Sequence, residues 1–130
     1  MKFKQLSLEL LVEDLPKSLA FYRDILGFET EVIFPDENPV FAQVGFGDVH
    51  IKLYVRKEFE NEIPKLKTMN MGGTIQVYIE IEEVEEYFKK LEGKVMLVKP
   101  LHPTDYETRE FTIEDCNGYL LCFSESISKN

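Results

Sequence analysis

Two stretches of equal length decide how this chain folds: LSLELLVEDLPKSLAFYRDILGFE (residues 6–29) and TIQVYIEIEEVEEYFKKLEGKVML (residues 74–97). In the first, Leu6, Leu8, Leu10 and Val12 fall on one side of a strand, with Ser7, Glu9 and Leu11 on the other. Asp14 followed by Pro16 starts a helix, because aspartate accepts the free N–H groups of a first turn and proline is tolerated there. Leu15, Leu19, Tyr22 and Leu26 make its apolar stripe, widened by Phe21 and Ile25, and Gly27 stops it. The second stretch repeats the plan. Ile75, Val77, Ile79 and Ile81 share one strand face, Val84, Tyr87, Phe88 and Leu91 stripe a helix over residues 83–91, and Gly93 ends it. Identity between the two is low, but the spacing is the same, which points to an internal duplication.

Three strand-like runs follow each stretch: residues 28–34, 40–46 and 49–55 in the first half, and 94–99, 108–114 and 119–124 in the second. Gly47 and Asp48 form a hairpin turn, and Asp115-Cys116-Asn117-Gly118 forms another. The order is therefore β-α-β-β-β twice. The expected fold is α+β, a single domain over residues 1–130 with modules at about 1–56 and 73–126. Residues 57–72, charged and containing Pro64, Asn70 and Gly72, read as a linker with one short helical turn. One helix can cover only one face of each four-stranded sheet. The uncovered faces of two curled mixed sheets would then line a groove.

Composition narrows the function classes. The 130 residues are 44% hydrophobic and 30% charged, ordinary for a soluble domain able to bury a core. No apolar run approaches the ~20 residues of a membrane span, and the N-terminus reads as a first strand instead of a signal peptide. Two cysteines without secretory features suggest reduced thiols and a cytoplasmic location. The net charge of −9 would repel nucleic-acid backbones and anionic membranes; it would help attract a cationic ligand, although a charge of this size is common on soluble domains and reads first as solubility.

LELLVEDLPKSLAFYRDILGFE, with its V-x-D-L turn leading into S-x-x-F-Y-x-x-x-L-G-F, resembles the vicinal oxygen chelate superfamily. REFTIEDCNGYLLCF is similar to that family's R-x-F-x-x-x-D-P-x-G-x-x-x-x-F ending, with Cys116 in place of proline. The superfamily includes glyoxalase I, extradiol dioxygenases and the fosfomycin- and bleomycin-resistance proteins. The resemblance implies the fold over nearly the whole chain, and four metal-ligand positions, one on each of four groove strands. Carried over by spacing, these are Ser7, Lys52, Thr74 and Cys122. Serine and threonine hydroxyls bind divalent transition metals poorly, and a protonated lysine repels them. One thiolate alone makes no site. Cys122 then reads as a small buried hydrophobe standing where a ligand would be. No metal and no cofactor is expected.

Alternation adds Glu9, His50, Tyr54, Gln76, Tyr78, Glu110 and Thr112 to the groove wall, a lining suited to a small organic molecule. His50 is a ligand or base, or an ordinary packed or exposed ring. His102 sits in the loop KPLHPTDYE, which could cover the groove. Glu9 and Glu110 are costly to bury unless Lys52 or a cationic ligand neutralises them. The cluster Glu80, Glu82, Glu83, Glu85 and Glu86 reads as a solvated helix start, and Arg109 as structural. The first reading is a metal-free, homodimeric small-molecule binder like the bleomycin-resistance proteins. An enzyme, a glyoxalase-like lyase or dioxygenase with an atypical metal shell of His50, Glu9 and Glu110, is the second. A regulatory or scaffold domain without a small ligand is the third.

Overall fold

The computed structural model describes residues 1–127. They form two compact units, residues 1–69 and residues 70 onward. In the first, strands β1 (Glu9–Val12), β2 (Glu29–Phe34), β3 (Phe41–Phe46) and β4 (Val49–Val55) make one sheet in the order β1-β4-β3-β2. β1 runs parallel to β4, and the other neighbours are antiparallel. The second unit repeats this with β5 (Gln76–Glu80), β6 (Met96–Pro103), β7 (Thr108–Glu114) and β8 (Leu120–Ser126), in the order β5-β8-β7-β6. Here β5 is parallel to β8. Two mixed four-stranded sheets with few helices give the α+β, twice-βαβββ architecture expected from the repeat.

Each sheet is buried on its helix side. In the first unit Leu10 and Val12, Ala42 and Val44, and Ile51 and Leu53 alternate inward from β1, β3 and β4. They meet Leu15 and Leu19 of helix α1 (Leu15–Ala20). Asp14 caps α1, its side chain accepting from the Lys17 N–H at 3.1 Å. The helix continues as a π-helical turn, Phe21–Ile25, which aims the buried Tyr22 at Phe28 with ring centroids 5.7 Å apart. Gly27 then reverses the chain at φ +89°, a left-handed conformation that favours glycine. In the second unit Phe111 and Phe123 form the centre, with Tyr87 and Phe88 of helix α3 (Val84–Leu91) edge-on or tilted against them. The start of α3 is capped from the sheet: the Glu125 carboxylate accepts from the Glu83 and Val84 N–H groups at 2.9 and 3.2 Å. The acidic residues before and within its first turn are exposed. Arg109 reaches Glu85 at 3.2 Å, a tie between β7 and α3.

Three expectations are revised. Residues 57–72 carry more structure than one helical turn: helix α2 (Arg56–Glu62) is followed by a 3-10 helix, Pro64–Thr68. The cause is Arg56, whose guanidinium donates to the carbonyls of Leu66, at 2.6 Å, and Met69. Phe59 of α2 also packs on Tyr54 at 5.1 Å. Strand β1 begins at Glu9, so Ser7 precedes it. Strand β6 extends to Pro103 and slips register between Leu97 and Lys99 and again between Lys99 and His102.

Candidate functional site

Glu110 is the centre of the chemistry. It lies in the middle of β7, opposite Ser124 of β8, and is only 5% exposed. Four hydroxyls surround its carboxylate. Thr108 donates to Oε2 at 2.9 Å, the Tyr78 and Ser124 hydroxyls lie 2.5 and 3.0 Å from the same oxygen, and Tyr106 donates to Oε1 at 3.0 Å. The donors are themselves ordered. Tyr78 lies 2.8 Å from the Ser124 hydroxyl, and Thr104 lies 2.7 Å from Thr108. Because Thr108 spends its hydrogen on Glu110, Thr104 is the donor of that pair. Burial alone would raise the Glu110 pKa, but hydrogen bonds from Tyr78, Thr108, Tyr106 and Ser124 outweigh it and hold the group at about 2. Glu110 is therefore a charged carboxylate, and no ion pair joins it to a cation among the described residues.

A pocket of about 400 Å³ opens over this group within the second unit. Gln76, Glu110, Thr112 and Cys122 line it from the sheet, with Lys99 and His102 from the bulged strand β6 and Thr104, Asp105 and Tyr106 from the β6–β7 turn. His102 Nδ1 is 2.7 Å from the Pro100 carbonyl. A carbonyl only accepts, so Nδ1 carries a hydrogen. Cys122, 2% exposed, lies 3.7 Å from Glu110 Oε1. Burial, and then the Glu110 charge, push its thiol up, away from the thiolate that a nucleophile or metal ligand requires. Neither cysteine is in a disulfide.

The first unit has its own pocket, about 330 Å³, lined by Ser7, His50, Lys52, Gln43 and Asp48 among others. Behind His50 stands Glu31, the extra residue of a bulge in β2. Its Oε1 is 2.8 Å from His50 Nδ1 and accepts from Gln43 at 3.1 Å. The His50 bond and then the Gln43 bond hold the Glu31 carboxyl below its usual range.

The eleven expected groove residues thus divide. Gln76, Glu110, Thr112 and Cys122 line the second-unit pocket, and Tyr78, outside its lining, is bonded to Glu110. Ser7, His50 and Lys52 line the first-unit pocket. Glu9 is exposed beside Lys52 in the sheet, and no ion pair joins the two among the described residues. Tyr54 packs between Phe41 and Phe59, and Thr74 is exposed outside both pockets. Sequence reading passed over Ser124 and Thr108, although both stand two residues from named groove positions on the same strand face. It also passed over Lys99, Tyr106 and Glu31. Bulges place Lys99 and Glu31 out of alternation, and Tyr106 lies in a turn where no periodicity applies.

The duplicated βαβββ chain is the fold that the resemblance to the vicinal oxygen chelate proteins implies. The chain belongs to the Glyoxalase/Bleomycin resistance protein/Dioxygenase superfamily, whose family model matches residues 4–123. Among solved structures it is similar to a protein of unknown function from Agrobacterium tumefaciens, at 22% identity over 97% of this chain and 96% of that one, TM-score 0.79. A glyoxalase/bleomycin resistance protein/dioxygenase from Nocardioides gives 18% identity, 100% and 88% coverage, and a TM-score of 0.81. TioX from Micromonospora sp. ML1 gives 20%, 95% and 98%, and 0.76. At these identities the likeness carries the fold alone. No curated protein matches the chain in sequence.

The metal that the family's enzymes hold does not fit the residues present. Ser7, Lys52, Thr74 and Cys122 offer two alcohols, an ammonium and a thiol kept protonated. Among the described residues no three His, Cys, Asp or Glu side chains come close enough to share a metal ion.

Proposed function

We propose that this protein binds a small cationic organic molecule, without a metal, in the pocket over Glu110, and does so as a homodimer. The supporting observation is the buried, ionised Glu110 carboxylate, satisfied by hydroxyls and lacking a counter-ion among the described residues. A buried charge of this kind is stabilised further by an opposite charge delivered into its pocket. The lining agrees with this: the Asp105 carboxylate borders the same space. Lys99 and Gln76 supply donors for oxygens of the ligand. Sequestering a drug or metabolite requires nothing more than this, and the pocket holds no activated nucleophile.

The exposed edge strands favour pairing of two chains. Val32, Ile33 and Phe34 on β2, and Met96, Leu97 and Val98 on β6, leave apolar side chains in solvent. The test of the binding reading is a calorimetric and thermal-shift screen of amines, matched carboxylates and neutral analogues against the purified protein. Amines that stabilise and bind, with Glu110→Gln abolishing the effect, support it. Preferential binding of carboxylates would overturn it.

A further inference from the structure

The two oxygens of Glu110 are not equivalent. Oε2 lies within 3.0 Å of three hydroxyls, Tyr78, Thr108 and Ser124, and none of the three residues borders the pocket. Oε1 has Tyr106 at 3.0 Å and the weak Cys122 thiol donor at 3.7 Å, and both of those residues do border it. Oε1 is therefore the oxygen that faces incoming ligand, and Tyr106 is its cap.

The two sets of donors also differ in how firmly they are held. Thr108, Ser124 and Tyr78 are all strand residues held by the sheet ladders, Ser124 being 1% exposed and Tyr78 46%. Tyr106 sits at the tip of the β6–β7 turn with 64% of its surface exposed. The turn is closed beneath it: the Thr104 N–H donates to the Thr108 carbonyl at 2.9 Å, and the Thr108 N–H to Thr104 Oγ1 at 3.1 Å. The tyrosine can leave Oε1 for water without disturbing the core or opening the turn.

From this asymmetry we infer that Tyr106 is an exchangeable cap on Glu110 and that the ligand must carry a cationic N–H group to replace it. This rests on the cation-binding reading of the same pocket and adds the ligand class and the residue that selects it. On binding, an N–H of an ammonium, amidinium or guanidinium donates to Oε1, the Tyr106 hydroxyl is released to solvent, and Oε2 keeps its three hydroxyls. No bond other than hydrogen bonds changes. A quaternary ammonium has no N–H, so displacing Tyr106 would leave Oε1 with only the weak Cys122 thiol donor, and such a cation is rejected. Tyr106 is thus a specificity-determining residue: it closes the carboxylate to any ligand that cannot return the hydrogen bond.

The experiment compares butylammonium with butyltrimethylammonium on wild-type protein and on Tyr106→Phe, by calorimetry and by NMR of ring-labelled tyrosine. Tyr106→Phe removes only the hydroxyl of a turn residue outside the core, so the fold is retained. The expected result is binding of butylammonium to wild type with displacement of the Tyr106 ring signals. Tyr106→Phe should tighten this binding by about three- to tenfold, because no hydrogen bond is given up. Butyltrimethylammonium should bind wild type at least about tenfold more weakly than butylammonium. Equal binding of the two cations, unaffected by Tyr106→Phe, would overturn the exchange while leaving the cation-binding reading in place. Failure of both cations to bind either protein would overturn both.

Discussion

Glu31 reaches His50 across the full width of strand β3, Oε1 to Nδ1 at 2.8 Å, and it passes over Gly45 to do so. A Cβ at position 45 would lie 2.5 Å from the Glu31 carboxyl carbon. Glycine in a strand interior ordinarily costs about 0.5–1 kcal/mol relative to alanine. Its effect here is to let a bulged carboxylate lie flat and orient an imidazole.

Gly45→Ala should therefore separate orientation from stability. The group it meets is the end of a flexible side chain, which can swing away. The expected outcome is an unchanged or slightly raised melting temperature together with a Glu31 carboxyl pKa that returns toward its ordinary value. Carbon-detected NMR titration of the side-chain carboxyls reads this directly. A Glu31 titration identical to wild type would show that Gly45 does not control the contact.

Glu110 sets a pH dependence whose sign follows from its depressed pKa. A carboxyl held at about 2 when folded, against 4.5 ordinarily, contributes stability that is fully present above pH 4.5. That contribution is lost as pH falls from 4.5 toward 2. Ser124→Ala removes one buried donor to this charge and should cost about 1.5–3 kcal/mol at neutral pH, with the Glu110 pKa moving up. Denaturant melts at a series of pH values, wild type against Ser124→Ala, check both parts.

Much of this was legible in the sequence, and the part that was not has a physical cause. The duplicated strand-helix-glycine pattern specifies both sheets because burial on one face imposes a period of two along each strand, and the core residues from Leu10 to Phe123 obey it. The same period puts Glu110, Thr112 and Cys122 in one pocket. It fails wherever a bulge inserts a residue, and so Glu31 and Lys99 escaped it. It also says nothing about distance across a sheet. Glu9 and Glu110 look alike by alternation, yet one is an exposed residue next to the N-terminal segment and the other a buried anion.

That contrast is itself testable. Glu9→Gln should leave stability within about 0.5 kcal/mol of wild type, as exposed substitutions do. Glu110→Gln places an amide N–H₂ among hydroxyl donors and should destabilise by about 1–3 kcal/mol. Equal effects in urea melts would mean that the burial of Glu110 has no energetic consequence.

The thiols should differ in reactivity. Cys122 is 2% exposed, and burial and then the neighbouring Glu110 charge raise its pKa, so at neutral pH little thiolate is present. Cys116 lies in the Asp115–Gly118 turn and is half-buried. Ellman's reagent should therefore label Cys116 first and Cys122 only as the protein unfolds, with Cys116→Ser abolishing the early phase. Rapid labelling of Cys122 in the native state would contradict its placement beside an ionised carboxylate.

Pairing of two chains makes the last prediction. β2 and β6 are edge strands, and each exposes consecutive apolar residues: Val32, Ile33 and Phe34 at 44, 42 and 65%, and Met96, Leu97 and Val98 at 64, 44 and 51%. Alternation along an edge strand would leave one face polar if water were its only neighbour, so apolar residues on both faces favour a covering partner. A second copy of the chain fits, since symmetric self-association is the commonest solution for such surfaces. Light scattering at micromolar concentration should give twice the chain mass. Val32→Lys and Val98→Lys each place a charge on one edge without touching the core, so the fold should survive while the edge that forms the interface is blocked. At least one of the two should then scatter as a monomer with an unchanged circular-dichroism spectrum. A wild-type protein that is already monomeric under these conditions would show that these edges are tolerated in water and that no second copy covers them.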